Sequence, residues 1–203
     1  MTPTLIYLHG LNSSPQSQKA RQLAARVAAM PESVRPALHI PALPHRPAAA
    51  MDLVTRLIDD TGTEGLTLIG SSLGGYYATW LAERYAAADV RAVLINPTTG
   101  PAEDLKPYAG MQTNLYTGET YELTAEHLRE FLALKVERLT RPARYYLLAQ
   151  TGDEVLDYRL AVAHYAGAHQ LLLSGGDHAF ENFERHIDSI LQFAGVRLSP
   201  PLS

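Results

Sequence analysis

Gly70-Ser71-Ser72-Leu73-Gly74 forms a G-x-S-x-G pentapeptide, the pattern that lifts a serine hydroxyl out of a tight turn between a strand and a helix. A serine is a poor nucleophile until a base removes its proton. The pentapeptide therefore asks for a histidine, and for a carboxylate to orient that histidine. By itself the match is weak, since glycine and serine at ordinary frequencies produce it in roughly one of fifteen chains this long. Its setting strengthens it: an apolar run, Leu66-Thr67-Leu68-Ile69, precedes it, and a helical stretch from Leu73 to about Tyr85 follows. The flanking glycines are expected because a Cβ at either would strike the neighbouring strand and helix. The helix N-terminus below adds positive potential for a developing anion. Ser71 competes as nucleophile, but at the first variable position it is expected to point away. The plain structural alternative is a turn in which Ser72 only caps the helix.

His178, in Gly175-Gly176-Asp177-His178-Ala179-Phe180, follows the last apolar run on a glycine-loosened loop and is the expected base. Asp153, in Thr151-Gly152-Asp153-Glu154-Val155, follows the preceding run and is expected to hold the imidazole tautomer and stabilise its cation. Asp157 and Asp177 compete with it. Asp157 reads as the N-cap of the next helix, and Asp177 is too close in sequence to His178 for its carboxylate to meet the ring in line. Glu154 reads as a solvated loop carboxylate. The order Ser72, Asp153, His178 is that of nucleophile, acid and base in α/β-hydrolases.

Acyl transfer places negative charge on the carbonyl oxygen, and two backbone N–H groups normally receive it. Leu73, directly after the serine, is expected to supply one and Leu11 the other. Leu11 belongs to His9-Gly10-Leu11-Asn12-Ser13-Ser14, the loop after the first apolar run. Gly10 lets backbone approach substrate closely. His9 reads as an orienting residue of that loop, and Ser13 and Ser14 as helix-cap residues.

These residues need a scaffold, and the chain supplies one in a rhythm of short apolar runs and longer amphipathic stretches. Strands are expected at Leu5–Leu8, weakly at Leu38–Ile40, then at Leu66–Ile69, Ala92–Ile95, Tyr145–Leu148 and Leu171–Leu173. Helices are expected from Ser14-Pro15 onward, over Pro47–Asp60 closed by Gly62, from Leu73 to about Tyr85, from about Tyr158 to Tyr165, and from about Phe180 to Phe193. Such alternation implies a mostly parallel sheet with helices on both faces. Right-handed crossovers then bring every strand's C-terminal end to one edge, where ligands of α/β folds bind. Residues 98–143 break the rhythm with prolines, three tyrosines and one expected helix, Ala125–Leu139. They read either as a lid-like excursion over the strand ends or as a cover for the sheet.

The 203 residues suffice for one domain. A formal net charge of −4 offers no broad basic face, so nucleic acid is not an expected partner. The chain has no cysteine, its eight histidines show no H-E-x-x-H spacing, and its glycines match neither a P-loop nor the dinucleotide fingerprint. No metal or cofactor is expected. No apolar run approaches the ~18 residues of a membrane span, and Met1–Gly10 does not read as a signal peptide. A soluble cytoplasmic protein is the expectation.

Four blocks carry a family resemblance. They are Tyr7-Leu8-His9-Gly10-Leu11-Asn12-Ser13-Ser14-Pro15, the run from Gly70 to Leu81, the run from Gln150 to Arg159, and Gly175-Gly176-Asp177-His178-Ala179-Phe180. Together with Asn96-Pro97 and Tyr116-Thr117-Gly118 they make the chain resemble the YqiA-type esterase family of small bacterial α/β-hydrolases. Leu11 departs from the pattern, standing where an aromatic residue is often found. The resemblance implies six parallel strands in the order 2-1-3-4-5-6, with Ser72, Asp153 and His178 as a triad. It also implies a small acyl ester or thioester as the substrate. The alternative from a different class is a ligand-binding protein on the same scaffold that no longer turns over.

Overall fold

The central strands of this chain carry almost no apolar–polar alternation, as strands covered on both faces require. In the computed structural model, which describes residues 2–198, β1 (Thr4–Leu8) is buried at four of its five positions. It is followed by α1 (Gln18–Ala28), β2 (Ala37–His39), α2 (Pro47–Thr61) and β3 (Leu66–Ser71), the last buried throughout. Then come α3 (Leu73–Arg84), β4 (Arg91–Ile95), α4 (Pro101–Leu105), β5 (Gly110–Thr113), β6 (Thr120–Leu123) and α5 (Ala125–Ala133). The chain continues through β7 (Tyr145–Gln150), α6 (Tyr158–His164), β8 (His169–Leu173) and α7 (Ile187–Phe193).

Six strands form one parallel sheet in the order β2-β1-β3-β4-β7-β8. This is the expected 2-1-3-4-5-6 order, counted without the separate antiparallel hairpin β5–β6. One face of the sheet, with Ile6, Leu8, Leu68 and Leu94, packs against α2, α3, α5 and α6. The other face, with Leu5, Tyr7, Ile69 and Val93, packs against α1 and α7. The strand order reverses between β1 and β3, so the loops leaving their C-terminal ends diverge and open a crevice there. Ser72 and the 9–14 loop sit at that crevice because of this topology alone.

Three expectations about elements change. The helix expected from Ser14-Pro15 starts at Gln18, because the Ser14 hydroxyl accepts the Gln16 N–H (3.0 Å) and its carbonyl accepts the Ser17 N–H, which closes a turn instead. The helix expected over Ala125–Leu139 ends at Ala133. Beyond it, Thr140 N–H bonds the Glu83 carboxylate and the Arg141 guanidinium bonds the Ala88 carbonyl (2.7 Å), so the end of α3 draws the segment out of helical register. The helix expected from Phe180 is delayed because Phe180 and Asn182 both have positive φ, 64° and 58°. A short 3₁₀ turn over Phe183–His186 intervenes before α7. Residues 98–143 contain, besides α5, the short α4 and the β5–β6 hairpin, neither of which the sequence pattern disclosed. Among the described residues no helix is long and apolar enough to cross a membrane.

Candidate active site

Ser72 occupies a strained turn that joins β3 to α3. Its backbone has φ 53° and ψ −119°, a region L residues avoid. The two flanking glycines are demanded by contact. A Cβ on Gly70 would lie 2.1 Å from the Gly74 carbonyl oxygen in the first turn of α3, and one on Gly74 would lie 2.0 Å from the Leu8 carbonyl oxygen of β1. Strand and helix can therefore approach only where side chains are absent, and the sharp turn between them leaves the Ser72 hydroxyl at the crevice.

The structure brings the loops after β3, β7 and β8 together in one hydrogen-bonded chain. His178 Nε2 lies 3.0 Å from Ser72 Oγ, and His178 Nδ1 lies 3.0 and 2.9 Å from the two oxygens of Asp153. A carboxylate can only accept, so Nδ1 carries the proton and Nε2 is left as the acceptor facing the serine. The Asp153 side chain is 2% exposed. Burial alone would push its carboxyl up. The bond from His178 and the N–H groups of Leu156 and Val155 outweigh that and hold it below the usual range. It thus stays an anion, oriented by Val155 and Leu156 N–H donors at 2.9 and 2.8 Å.

The competing carboxylates are engaged elsewhere. Asp157 accepts the Arg159 N–H at the start of α6 and pairs with the Arg159 guanidinium. The Asp177 side chain makes no bond to the imidazole, and its backbone belongs to the loop framework. Ser71 is buried beside Tyr7 on the α1 side of β3, and no bond links it to His178. His9 accepts the Leu43 N–H on Nε2 (3.0 Å), so its Nδ1–H donates to the Gly10 carbonyl (3.0 Å). Burial lowers its basicity, and it faces its own loop.

Leu11 and Leu73 both line the crevice with Ser72. Neither N–H takes a partner among the described residues, which leaves two donors beside the serine. Gly10 allows the close approach: a Cβ there would sit 3.3 Å from both the Ser71 carbonyl oxygen and Ser72 Cβ. The crevice encloses about 470 Å³. Its walls are largely apolar, with Leu11, Leu105, Leu115, Leu156, Tyr108 and Tyr116 contributing. Among the described residues no three metal-ligating side chains converge.

Several residues that hold the imidazole were not identified as site residues. Glu154, expected to be merely solvated, accepts the His178 backbone N–H on Oε2 (2.9 Å). The exposed carboxylate reaches back because the two loops lie side by side at the sheet edge. Buried Asn96, φ 40°, donates to the Asp177 and His178 carbonyls (2.9 and 3.3 Å) and accepts the Gln150 N–H. Gln150 in turn accepts the Asp177 and Glu181 N–H groups. Lys19, half-buried on α1, donates to the Ala179 carbonyl (2.6 Å). Burial depresses that ammonium while Asp177 and Asp153 act to raise it. An asparagine closing a strand was the only one of these signals visible in the chain.

A family model described as "Uncharacterised protein family (UPF0227)" matches residues 4–195. Among solved structures, an Agrobacterium vitis protein provisionally named a hydrolase superposes with a TM-score of 0.74 at 21% identity, over 95% of this chain and 88% of that one. Alpha/beta hydrolase domain-containing protein 10 from mouse gives 0.68 at 18%, over 95% and 90%. Est1E from Butyrivibrio proteoclasticus gives 0.68 at 13%, over 95% and 85%. At these identities what is shared is the α/β-hydrolase fold.

Proposed function

The chain belongs to the UPF0227 family, the YqiA family, and on that premise we propose that it is a serine esterase that hydrolyses carboxylic ester or acyl thioester bonds through an acyl-enzyme. The observation that carries the reading is the continuous bonding from Asp153 through His178 to Ser72, at 2.9–3.0 Å throughout.

In the first half-reaction Ser72 Oγ attacks the carbonyl carbon while His178 Nε2 takes the hydroxyl proton. The imidazolium that results sits against the Asp153 anion, which stabilises it without accepting its proton. The carbonyl oxygen becomes an oxyanion and receives the N–H groups of Leu73 and Leu11. Removing one such donor in comparable sites costs about 10²–10³ in rate. Collapse of the tetrahedral species breaks the bond to the alcohol or thiol, which takes the proton from His178 Nε2. Water then enters, gives a proton to the same nitrogen and attacks the acyl carbon. The second tetrahedral species expels Ser72 Oγ, which recovers the proton, and the carboxylic acid leaves.

The apolar walls suit an acyl or alcohol portion of mainly hydrocarbon character. Est1E, one structure of which holds ferulic acid, and an esterase domain of a Rhodothermus marinus protein share the fold, which supports an ester in place of an amide. Turnover of short p-nitrophenyl esters and of acyl thioesters by the wild type and by Ser72→Ala tests the reading. The wild type should turn over and the alanine variant should lose at least about a thousandfold. A variant as active as the wild type overturns it.

A further inference from the structure

We infer that Tyr121 and Asn12 are positioning residues for the oxyanion site, and that the β5–β6 hairpin serves to hold the loop carrying Leu11 in its working conformation. The inference rests on the esterase reading above and goes beyond it in assigning a role to the 98–143 excursion.

The loop after β1 is fixed by packing only in part: the Leu11 side chain packs against the core, while the backbone around it borders open space. Gly10, Leu11, Asn12 and Ser13 line the 470 Å³ crevice on one side. The same four residues, with Leu73, also line a second cavity of about 30 Å³ on the other. A backbone segment bordered by space on both sides keeps fewer close contacts than core residues do. Asn12 moreover has φ 52°, which its own side-chain chemistry tolerates but does not enforce.

Directional bonds from the hairpin supplement that packing. The Tyr121 hydroxyl donates to Asn12 Oδ1 (2.8 Å), and Asn12 Nδ2 donates to Gln112 Oε1 (3.1 Å). Leu115 N–H donates to the Asn12 carbonyl (3.0 Å), and Asn114 Nδ2 donates to the Ser13 carbonyl (2.9 Å). Both polar ends of the Asn12 side chain and its carbonyl are thus held from one hairpin, a hundred residues away in the chain. None of these bonds consumes the Leu11 N–H.

The hairpin is itself built to be stiff. Asn114 Oδ1 accepts the N–H groups of Tyr116 and Thr117. Asn114 and Glu119 close the tip through backbone, with Gly118 at φ 72°. Tyr121 is 8% exposed, and its ring stacks on His45 with centroids 4.3 Å apart. Burial, with the Glu119 carboxylate adding to it, pushes its phenol up to about 12, so the hydroxyl remains a donor across working pH. A donor N–H displaced by a fraction of an ångström loses mainly transition-state stabilisation, because the oxyanion forms only there.

Tyr121→Phe removes the hydroxyl and keeps the ring on His45. Kinetics on p-nitrophenyl acetate should show kcat reduced about tenfold with KM within about twofold. The inhibition constant of a trifluoromethyl ketone, whose serine adduct carries an oxyanion, should weaken by the same factor as kcat/KM falls, while that of the product carboxylic acid stays put. Gln112→Ala, at a half-buried hairpin position, should shift the same two quantities by about threefold and supplies the answer if Tyr121→Phe does not fold. Glu122→Ala, pointing to solvent from the same strand, should change neither. Unchanged kcat and ketone inhibition in the folded Tyr121 or Gln112 variant overturns the inference. So does a loss matched by KM or by product binding. A wild type without turnover would instead fail the esterase reading, so the two failures are distinguishable.

Discussion

Replacing Ser72 by glycine and, separately, by alanine gives a direct reading of the strain held at the turn between β3 and α3. Both variants lose the hydroxyl and its 3.0 Å bond to His178, so that term cancels between them. What differs is the backbone at φ 53°, ψ −119°. A residue with a Cβ in such a sparsely populated region costs on the order of 1–3 kcal/mol. Glycine escapes that cost and loses roughly 0.5–1 kcal/mol through its freer unfolded chain. Ser72 lines the crevice, so removing Cβ forfeits only roughly a few tenths of a kcal/mol of apolar burial. The glycine variant should therefore be more stable than the alanine variant by about 1 kcal/mol. For a chain of this size that corresponds to about 2–4 °C in Tm. Thermal and urea unfolding of the two variants under one buffer would measure it. Ser72 is the N-cap of α3, and an unstrained N-cap also favours glycine over alanine by roughly 0.5 kcal/mol. The strain is therefore read from the excess of the gap over that value. A gap no larger than that, or a more stable alanine variant, would refute the claim that the turn stores strain.

Gly74→Ala should cost about 3 kcal/mol or more, since its Cβ would overlap the Leu8 carbonyl, which is main chain and cannot swing aside. A urea midpoint close to that of the wild type would contradict the close strand–helix approach described above. Acid should weaken the fold before it protonates the carboxylates. His9, His127, His164 and His186 are all held below the ordinary histidine value, chiefly by burial. Their neutral forms therefore favour the folded state. That contribution is complete above the ordinary value of about 6.5 and is lost as pH falls through the depressed folded values. Tm should decline from pH 7 to pH 5. His127→Gln should flatten part of that slope, because glutamine can still accept the Thr124 N–H that His127 Nδ1 accepts at the start of α5. An unchanged slope in that variant would remove His127 from the account.

Local chemistry was legible in the residues. Glycines at 70 and 74 around a serine announce a turn that only Cβ-free backbone can make, and the structure shows the two overlaps that require it. Uniformly apolar runs announced a parallel sheet, because a strand buried on both faces has no polar positions to alternate. The order of the strands followed from the family blocks, and the crevice at the β1–β3 reversal followed from the order. The element boundaries were less legible where side chains from afar intervene. Glu83 and the carbonyl of Ala88, at and beyond the end of α3, decide where α5 stops, and nothing within residues 125–139 reveals it.

The same distinction divides the candidate site. Ser72, Asp153 and His178 could be named from type, order and position after strands, since each belongs to the loop that directly follows a recognisable run. Their supports could not. Glu154 bonds the His178 N–H, Asn96 and Gln150 hold the His178 loop, and Tyr121 reaches Asn12 across 109 positions of chain. Such contacts depend on which loops the sheet lays side by side, and a polar residue in a loop looks the same whether it faces water or a neighbouring loop. The sequence alone determined the sheet, the tight turn and the residue types able to carry acyl chemistry, because these follow from local sterics and burial. Only the tertiary structure decided how the imidazole is oriented and how the loop bearing Leu11 is held, because those rest on hydrogen bonds between segments that share nothing but a place in space.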